Sequence, residues 1–317
     1  MGKVSKMLDF RYRVFLSVAR HLSFSKAAKE LSLTQPAVSF QIRHLEEQFK
    51  ARLFVRYPNR IELTPVAELL YKELAHINQE SQRVMEKVMQ KLGQSWGTLV
   101  IGASTTIGNF FLPPVVAKFK RGHASVSVKL QVDNTDQVLS YLADGIIDFA
   151  IVEGPVKSKH WVTEEAFIDE LVVIAPKDYA HEHRGVISKK QVGEEPFVSR
   201  EAGSGTRAVI DGLKVAGKPL IPARNIILEM GSSTAIKKTV EGGLGLSLIS
   251  RMTLEHELAL GTLKMLRVEG YPIYRPISFV FSRGMEASQP VKEMLDLCRD
   301  AGKKMTAQTQ IHGIKQA

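Results

Sequence analysis

The stretch from residue 23 to residue 49, SFSKAAKELSLTQPAVSFQIRHLEEQF, constrains the fold of this chain more than any other. Its apolar spacing predicts two short helices that meet at a tight turn, and small alanines in the first helix allow the second to cross it closely. Ser25 can cap the first helix, Thr34 can cap the second, and Pro36 falls in a first turn, where its missing N–H costs nothing. The stretch therefore predicts a helix-turn-helix.

The second of these helices has a polar face that can read DNA bases. Apolar residues recur at three- and four-residue spacing along it, whereas Gln35, Ser39 and Arg43 share a different face. Glutamine and arginine pair bidentately with adenine and guanine edges, and a serine hydroxyl can serve a base or a phosphate. The alternative is the ordinary solvated face of an amphipathic helix.

Positive charge is concentrated around this helix pair. Residues 1–92 hold 16 Lys+Arg against 9 Asp+Glu, so they carry +7 of the formal net charge of +10. Such a balance favours a polyanionic partner near the N-terminus, although a basic surface can also serve solubility alone.

A short hairpin is predicted directly after the helix pair. Residues 52–64 read as two short strands around a turn at Pro58 and Asn59, which we interpret as a wing. Arg56 and Arg60 near its tip can hold phosphates or enter a minor groove. The alternative is an exposed hairpin whose arginines are solvated.

One long helix is predicted next, because no helix breaker occurs from Pro65 to Leu92. An apolar seam runs along this helix of roughly 28 residues, which would be about 40 Å long. A helix with nothing local to pack on needs a partner, and a second copy of the chain, parallel or antiparallel, is the partner we expect. The alternative is a helix that lies on the surface of its own second domain.

The N-terminal region resembles that of the LysR-type transcriptional regulators. The resemblance is carried, in order and spacing and before a long helix, by Phe15, Ala27, Ala28, Leu31, Ser39, Gln41, Ile42, Leu45, Glu46, Leu53, Phe54, Arg56, Leu63 and Thr64. One departure is Val66-Ala67, where the family usually has Ala-Gly. We expect it to change slightly how the wing joins the long helix, without loss of DNA binding.

This resemblance implies a homodimer or homotetramer that binds an imperfect palindrome in double-stranded DNA. It also implies a response to a small-molecule coinducer. We expect a small anionic coinducer and no cofactor. Together with the polar face and the wing, it predicts a DNA-binding set of Ser25, Thr34, Gln35, Pro36, Ser39, Gln41, Arg43, Arg56 and Arg60.

From residue 98 onward, apolar strands alternate with helical segments, which indicates an α/β domain with a largely parallel sheet in two lobes. The resemblance implies an effector domain like the type 2 periplasmic binding proteins, and hence an α+β multidomain protein. We expect these parts: a winged helix-turn-helix at 1–65, a linker and dimerisation helix at 66–93, an effector domain at 94–300 and a loose tail at 301–317. Within the effector domain, lobe I should span about 94–169 and 270–300, and lobe II about 170–269.

Two segments with small hydroxyl residues are candidates for binding an anion. Residues 104–106 (STT) follow one strand, and residues 203–206 (GSGT) follow another and precede a helix, where backbone N–H groups favour anions. Helix capping by serine and threonine is the alternative for each residue. The predicted effector-binding set is Ser104, Thr105, Thr106, Glu153, Arg200, Ser204, Thr206 and Ser232.

Two charged members of that set have specific expected roles. Arg200 can act as counter-ion to the ligand or form a surface network with Glu201. Glu153, at a strand end, would repel a dianion but accept a hydrogen bond from a protonated one, and we expect it to select such an anion.

The runs STTIGNFFLPP, IVEGP, FVSREAGSGTR and EGGLGLS are similar to those of LysR-type members that sense sulfur oxyanions, and more distantly to those that control carbon fixation. The first similarity implies sulfite, sulfate or a related anion as effector. The second implies a phosphorylated metabolite.

The remaining features exclude several classes of protein. The single cysteine, Cys298, excludes an internal disulfide and a multi-cysteine zinc site, and we expect it to be a packing residue in a reducing cytoplasm. The sequence shows neither an apolar run of membrane-spanning length nor a signal peptide. Scattered histidines and the lack of an acid pair or metal-ligand cluster argue against an enzyme. A cytoplasmic solute-binding protein without DNA binding remains the alternative to a regulator.

Overall fold

The computed structural model describes residues 8–58, 60–91, 98–156, 161–180, 183–282 and 289–314. The chain falls into two compact units that divide between residues 97 and 98, with the short segment 143–146 grouped with the first unit. The expected domain boundary near Gln94 lies outside the described residues.

The first unit is a three-helix bundle with a two-stranded wing and a long helix. Its elements are α1 Phe10–His21, α2 Phe24–Leu31, α3 Gln35–Phe49, β1 Phe54–Arg56, β2 Ile61–Leu63 and α4 Pro65–Lys91. β1 and β2 are antiparallel, with Phe54 opposite Leu63. Phe15, Ala27 and Ile42 are buried in one core, because the small alanines of α2 let α1 and α3 approach.

The caps of the helix pair differ in one place from expectation. Ser23, and not Ser25, caps α2, with its hydroxyl accepting from the backbone N–H of Lys26 at 3.3 Å. Thr34 caps α3 as expected, accepting from the N–H of Ala37 at 3.4 Å. Ser25 lies inside the first turn of α2, so its hydroxyl is left for another partner.

A carboxylate joins α1 to α2. Glu30 accepts hydrogen bonds from Ser17 Oγ, Arg20 Nη1 at 3.2 Å and His21 Nε2 at 3.0 Å. Burial raises the pKa of Glu30, but the Ser17 hydrogen bond and the charges of Arg20 and His21 outweigh it, so this pKa lies below its ordinary value.

The long helix α4 has two apolar faces. Leu70 and Leu74 pack on the bundle core, whereas Leu69 and Ile77 are 62% and 50% exposed. Val66, Val84 and Val88 are also exposed. Within the described part of the first unit, only some of the apolar residues of this seam are therefore buried.

The second unit consists of a mixed sheet with helices and two small two-stranded sheets. Its elements are β3 Thr98–Ser104, a π-helical turn Ile107–Phe111, α5 Leu112–Gly122, β4 Ser127–Asp133, α6 Thr135–Ala143, β5 Phe149–Glu153, β6 Val162–Pro176, β7 Val186–Ile187, α7 Lys189–Glu194, β8 Phe197–Arg200, α8 Gly205–Gly212, β9 Lys214–Val215, β10 Lys218–Pro219, a 3-10 turn Ala223–Asn225, β11 Ile226–Met230, α9 Ser233–Glu241, β12 Ser247–Ser250, a 3-10 turn Arg251–Thr253, α10 Glu255–Leu260, β13 Leu263–Val268, β14 Ile273–Phe281 and α11 Gln289–Ile314.

Two long strands join the halves of this unit. The larger sheet has the order β4-β3-β5-β14-β6-β13-β7, and β12 also pairs with β6. β6 pairs antiparallel with β14 from Val162 to Leu171, and its C-terminal end pairs antiparallel with β12 and β13. The expectation of a largely parallel sheet was therefore wrong, because both crossing strands run against their neighbours.

The C-terminal segment also differs from expectation. α11 continues to Ile314, so residues 301–314 are helical and not a loose tail. Cys298, on the buried side of this helix, is fully buried, and burial raises the pKa of its thiol to about 12. No helix in the described part of the chain is long and apolar enough to cross a membrane.

Candidate functional site

The exposed face of α3 is the first candidate site. Val38, Ile42 and Leu45 are buried, so the opposite face of the helix is open to solvent. Arg43 lies on this open side and is exposed, with no ion pair or hydrogen bond to another described residue. Its five N–H donors are therefore available to a base edge or a phosphate.

The other predicted reading residues are placed less openly. Ser39 and Gln41 are half-buried, while Gln35 and Pro36 are exposed at the start of α3. Gln35 Oε1 accepts a hydrogen bond from Ser25 Oγ at 3.1 Å, which ties α3 to α2. The amide nitrogen of Gln35 keeps both of its donors for an external partner.

The two arginines of the wing, Arg56 and Arg60, differ in the contacts that their guanidinium groups make. The guanidinium of Arg56 lies 4.3 Å from the centroid of the Phe24 ring, so an aromatic face positions it without consuming its donors. Arg60 forms an ion pair with Glu62 at 2.9 Å and lies 4.8 Å from the Tyr57 ring centroid. Arg56 is therefore the better placed of the two to bind a phosphate.

One exposed residue of α3 was missed by the sequence reasoning, which weighed only polar side chains on this face. Phe40 is 52% exposed and contacts His44, with ring centroids 4.9 Å apart and planes at 67°. Its position, four residues after Pro36 and three before Arg43, was the signal available in the sequence.

The second candidate site lies where strand ends of the two halves of the second unit meet. Arg200, the last residue of β8, donates from Nη2 to Thr105 Oγ1 at 2.9 Å, just beyond the end of β3. The same guanidinium forms a bidentate pair with Glu201, at 2.8 and 3.0 Å. Arg200 thus pairs with Glu201 as considered, but in a side chain that is 1% exposed and not at the surface. Its role as counter-ion to a ligand stays a prediction.

Three buried donors at these strand ends lack a hydrogen-bond partner among the described residues. They are Arg200 Nη1, Ser104 Oγ and Ser204 Oγ. Ser204 is the N-cap residue of α8, yet its side chain makes no capping hydrogen bond. A buried donor without a hydrogen-bond partner costs ~1–3 kcal/mol of folding free energy. Such groups are uncommon in folded proteins, and a bound ligand is one explanation for them.

Two predicted ligand-binding residues, Glu153 and Thr206, belong to a buried network around Arg275. The carboxylate of Glu153 forms an ion pair with Arg275 Nη2 at 3.0 Å, and both side chains are buried. Arg275 also pairs with Asp169 at 2.8 Å and donates to Thr206 Oγ1 at 2.7 Å. Arg275 thus holds the Glu153 carboxylate, and the expectation that Glu153 selects a protonated anion stays a prediction.

This network lies where the long strands β6 and β14 meet α8. Arg275 is on β14, Asp169 is on β6 and Thr206 is on α8, so one guanidinium holds elements of both halves. Burial raises the pKa of Asp169, and this outweighs the lowering by Arg275 and by the hydrogen bond from Ser250.

A cleft of about 230 Å³ opens beside the network. Of the predicted effector-binding residues, Glu153 and Ser204 line it; its other walls include Asp136, Gly205 and Arg207. Gly205 is required here, because a Cβ at this position would meet Glu153 O at 1.9 Å. Close backbone approach therefore fixes the start of α8 against the end of β5.

The remaining predicted residues do not line this cleft. Thr106 is buried, and Ser232 is the half-buried N-cap residue of α9, whose side chain makes no capping hydrogen bond. Within the described ranges, no group of three or more His, Cys, Asp or Glu residues could hold a metal ion.

Two family models match the chain. The model "Bacterial regulatory helix-turn-helix protein, lysR family" matches residues 11–68, and "LysR substrate binding domain" matches residues 93–303. The chain belongs to the LysR family of bacterial regulators. It is a ligand-responsive, DNA-binding transcription regulator and not an enzyme, which excludes the solute-binding protein considered above.

Two relatives and two solved structures are similar over most of their length. The RuBisCO operon transcriptional regulator of Allochromatium vinosum is 37% identical over 87% of this chain and 90% of that protein. The regulator CbbR of Rhodospirillum rubrum is 34% identical over 92% and 95%. Full-length OxyR from Pseudomonas aeruginosa shares the fold, with a TM-score of 0.67, 20% identity and coverage of 94% and 95%. The Synechocystis CcmR regulatory domain in complex with 2-PG has a TM-score of 0.57 and 28% identity, covering 66% of this chain and 99% of that domain.

Proposed function

We propose that this regulator senses a small metabolite with an oxyanion group, held where Arg200 meets Thr105. The observation that carries the proposal is the set of three buried donors, on Arg200, Ser104 and Ser204, without a partner among the described residues. A guanidinium and two hydroxyls are donors that a carboxylate, phosphate or sulfur oxyanion accepts well. Such a ligand would offset the cost of burying these groups.

The relatives favour an anion of carbon metabolism over one of sulfur metabolism. The chain is 37% identical to a RuBisCO operon regulator, and the similar CcmR domain binds 2-PG. These relatives give no support to the sulfur-sensing branch expected from the sequence. We therefore take 2-PG as the first ligand to test, with sulfite and sulfate as the second group.

Binding at this position would change the balance between conformations of the second unit. Arg200 and Ser204 belong to one half and Ser104 and Thr105 to the other, so a ligand that contacts all four favours the arrangement that brings them together. A ligand shifts such an equilibrium only by its difference in affinity for the two states.

Isothermal titration of the full-length protein with 2-PG, sulfite and sulfate tests the site. Ser104→Ala and Ser204→Ala each remove a buried hydroxyl that has no partner among the described residues, so we expect a Tm at least as high as that of the wild type. Each should lower the affinity roughly tenfold or more, because a hydrogen bond to a charged group is worth ~1.5–3 kcal/mol. Arg224→Ala, which removes an exposed arginine of the same unit, is the matched control and should bind normally. Unaltered affinity in both serine variants would show that the anion binds elsewhere.

We further propose that two copies associate through the exposed apolar face of α4, and that such dimers can form a homotetramer. Leu69, Ile77, Val84 and Val88 are each about half exposed or more, and they lie on a helix too long to be covered by its own bundle. Light scattering of Ile77→Glu should show a smaller assembly than the wild type. A variant of unchanged mass would place the interface elsewhere.

A further inference from the structure

An exposed aromatic ring in the middle of the DNA-reading face is the least expected feature of the first unit. Phe40 is 52% exposed on α3 and is not a member of the hydrophobic core formed by its neighbours Val38 and Ile42. Leaving a phenylalanine on the surface forgoes much of the stabilisation that burial would provide. The folding of this unit therefore gives no reason for an aromatic residue at this position.

The position of Phe40 is central on the exposed face. With 100° per residue, Phe40 points almost directly away from the buried side of α3, and Pro36, Arg43 and His44 flank it. A helix that enters the major groove presents this face to the base edges. The ring of Phe40 therefore faces the bases whenever Arg43 can reach them.

The major groove has one apolar feature that such a ring can recognise. Thymine carries a C5-methyl group there, and phenylalanine is among the side chains that contact it. The other groups on the base edges are hydrogen-bond donors and acceptors, which a phenyl ring would desolvate without compensation. A thymine is therefore the base whose edge fits Phe40.

The ring is also held in place before DNA arrives. His44 packs against it edge to face, one helical turn further along, with centroids 4.9 Å apart. A side chain positioned in this way loses little rotamer freedom on binding.

We propose that Phe40 is a specificity-determining residue, which contacts the C5-methyl group of one thymine in each half-site. This inference adds to the DNA-binding role of the family, because it assigns a base preference to an apolar residue that makes no hydrogen bonds to bases. Arg43 supplies hydrogen bonds beside it, so each half-site should contain this thymine within one or two base pairs of the base that Arg43 reads.

The test removes only the methyl group. Binding sites are first selected from a random duplex pool with the full-length protein, and each thymine in the selected site is then replaced singly by deoxyuridine. At one position per half-site the wild type should bind about fourfold more weakly, which corresponds to the ~0.8 kcal/mol of one buried methyl group. Phe40→Ala should bind the thymine and deoxyuridine duplexes equally.

Phe49→Ala is the matched control, because Phe49 is 40% exposed at the far end of the same helix. It should keep the fourfold discrimination. The proposal is overturned if the wild type tolerates deoxyuridine at every position, or if Phe40→Ala keeps the same ratio between the two duplexes. A wild-type protein that selects no sequence at all would instead refute DNA reading itself, so the two failures are distinguishable.

Discussion

Removal of the guanidinium of Arg275 should destabilise the second unit more than almost any other single change. The side chain is fully buried and pairs with Glu153 at 3.0 Å and Asp169 at 2.8 Å, two carboxylates that are themselves buried. In Arg275→Met both charges lose their partner, and breaking a buried pair from one side costs about 3–5 kcal/mol. That is a large part of the ~5–15 kcal/mol by which domains are stable.

Neutralising the carboxylates should recover much of this loss. A triple variant that combines Arg275→Met with Glu153→Gln and Asp169→Asn has no buried charge left to desolvate, so it should be at least ~1–2 kcal/mol more stable than the single variant. Arg299→Met is the matched control, because Arg299 pairs with Glu164 at the surface and is 30% exposed. Exposed pairs are worth less than ~1 kcal/mol.

Urea unfolding followed by circular dichroism measures all four proteins, and the free energies are compared at one pH. If Arg275→Met loses no more stability than Arg299→Met, the buried ion pairs do not stabilise the unit as calculated. If the triple variant is no more stable than the single one, the cost comes from lost packing and not from unpaired charge.

Further expectations concern DNA binding, acid stability and thiol reactivity. Arg43→Ala should cost ~1–3 kcal/mol of specific DNA binding, whereas Arg56→Ala should weaken binding to all DNA sequences alike and reduce the slope of log affinity against log salt concentration by about one unit. Footprinting and salt titration distinguish the two effects. Equal losses for both variants in both assays would contradict the assignment. Because the pKa of Glu30 is lowered on folding, its contribution is present above the ordinary value of 4.5 and is lost as the pH falls through the folded value. The stability difference between wild type and Glu30→Gln should therefore shrink during acid titration by circular dichroism; a constant difference would exclude the charge as its cause. Cys298, buried and with its pKa raised to about 12, should react with an aromatic disulfide reagent only after unfolding, and fast labelling of the native protein would show that α11 opens readily.

Local patterns in the sequence were sufficient for the elements of the first unit. Thr34 and Pro36 mark the start of α3 through interactions within a single turn, and the wing strands follow from a turn at Pro58. Such signals act over a few residues, so these elements can be predicted from the sequence without tertiary information. The predicted cap Ser25 is two residues from the observed cap Ser23, and both serines can accept from the first backbone N–H groups of a helix.

The anion site could be predicted only in part. The segments around Ser104 and Ser204 carry the signature of helix starts, and the structure leaves both hydroxyls without a partner among the described residues. The sequence did not show which charged side chains are already paired with each other, because Arg275 lies 122 positions from Glu153 along the chain and no local pattern connects them. Only the pairing of β14 with β5 and β6 brings that guanidinium to Glu153.

By itself, the sequence determined that this chain carries a basic helix-turn-helix, a long apolar helix and alternating strands and helices, because cap residues, charge and apolar periodicity are properties of neighbouring residues. Tertiary structure decided the antiparallel crossing of β6 and β14 and the partner of each buried charge. These depend on contacts between residues distant in sequence, where burial and pairing are settled only when the chain has folded.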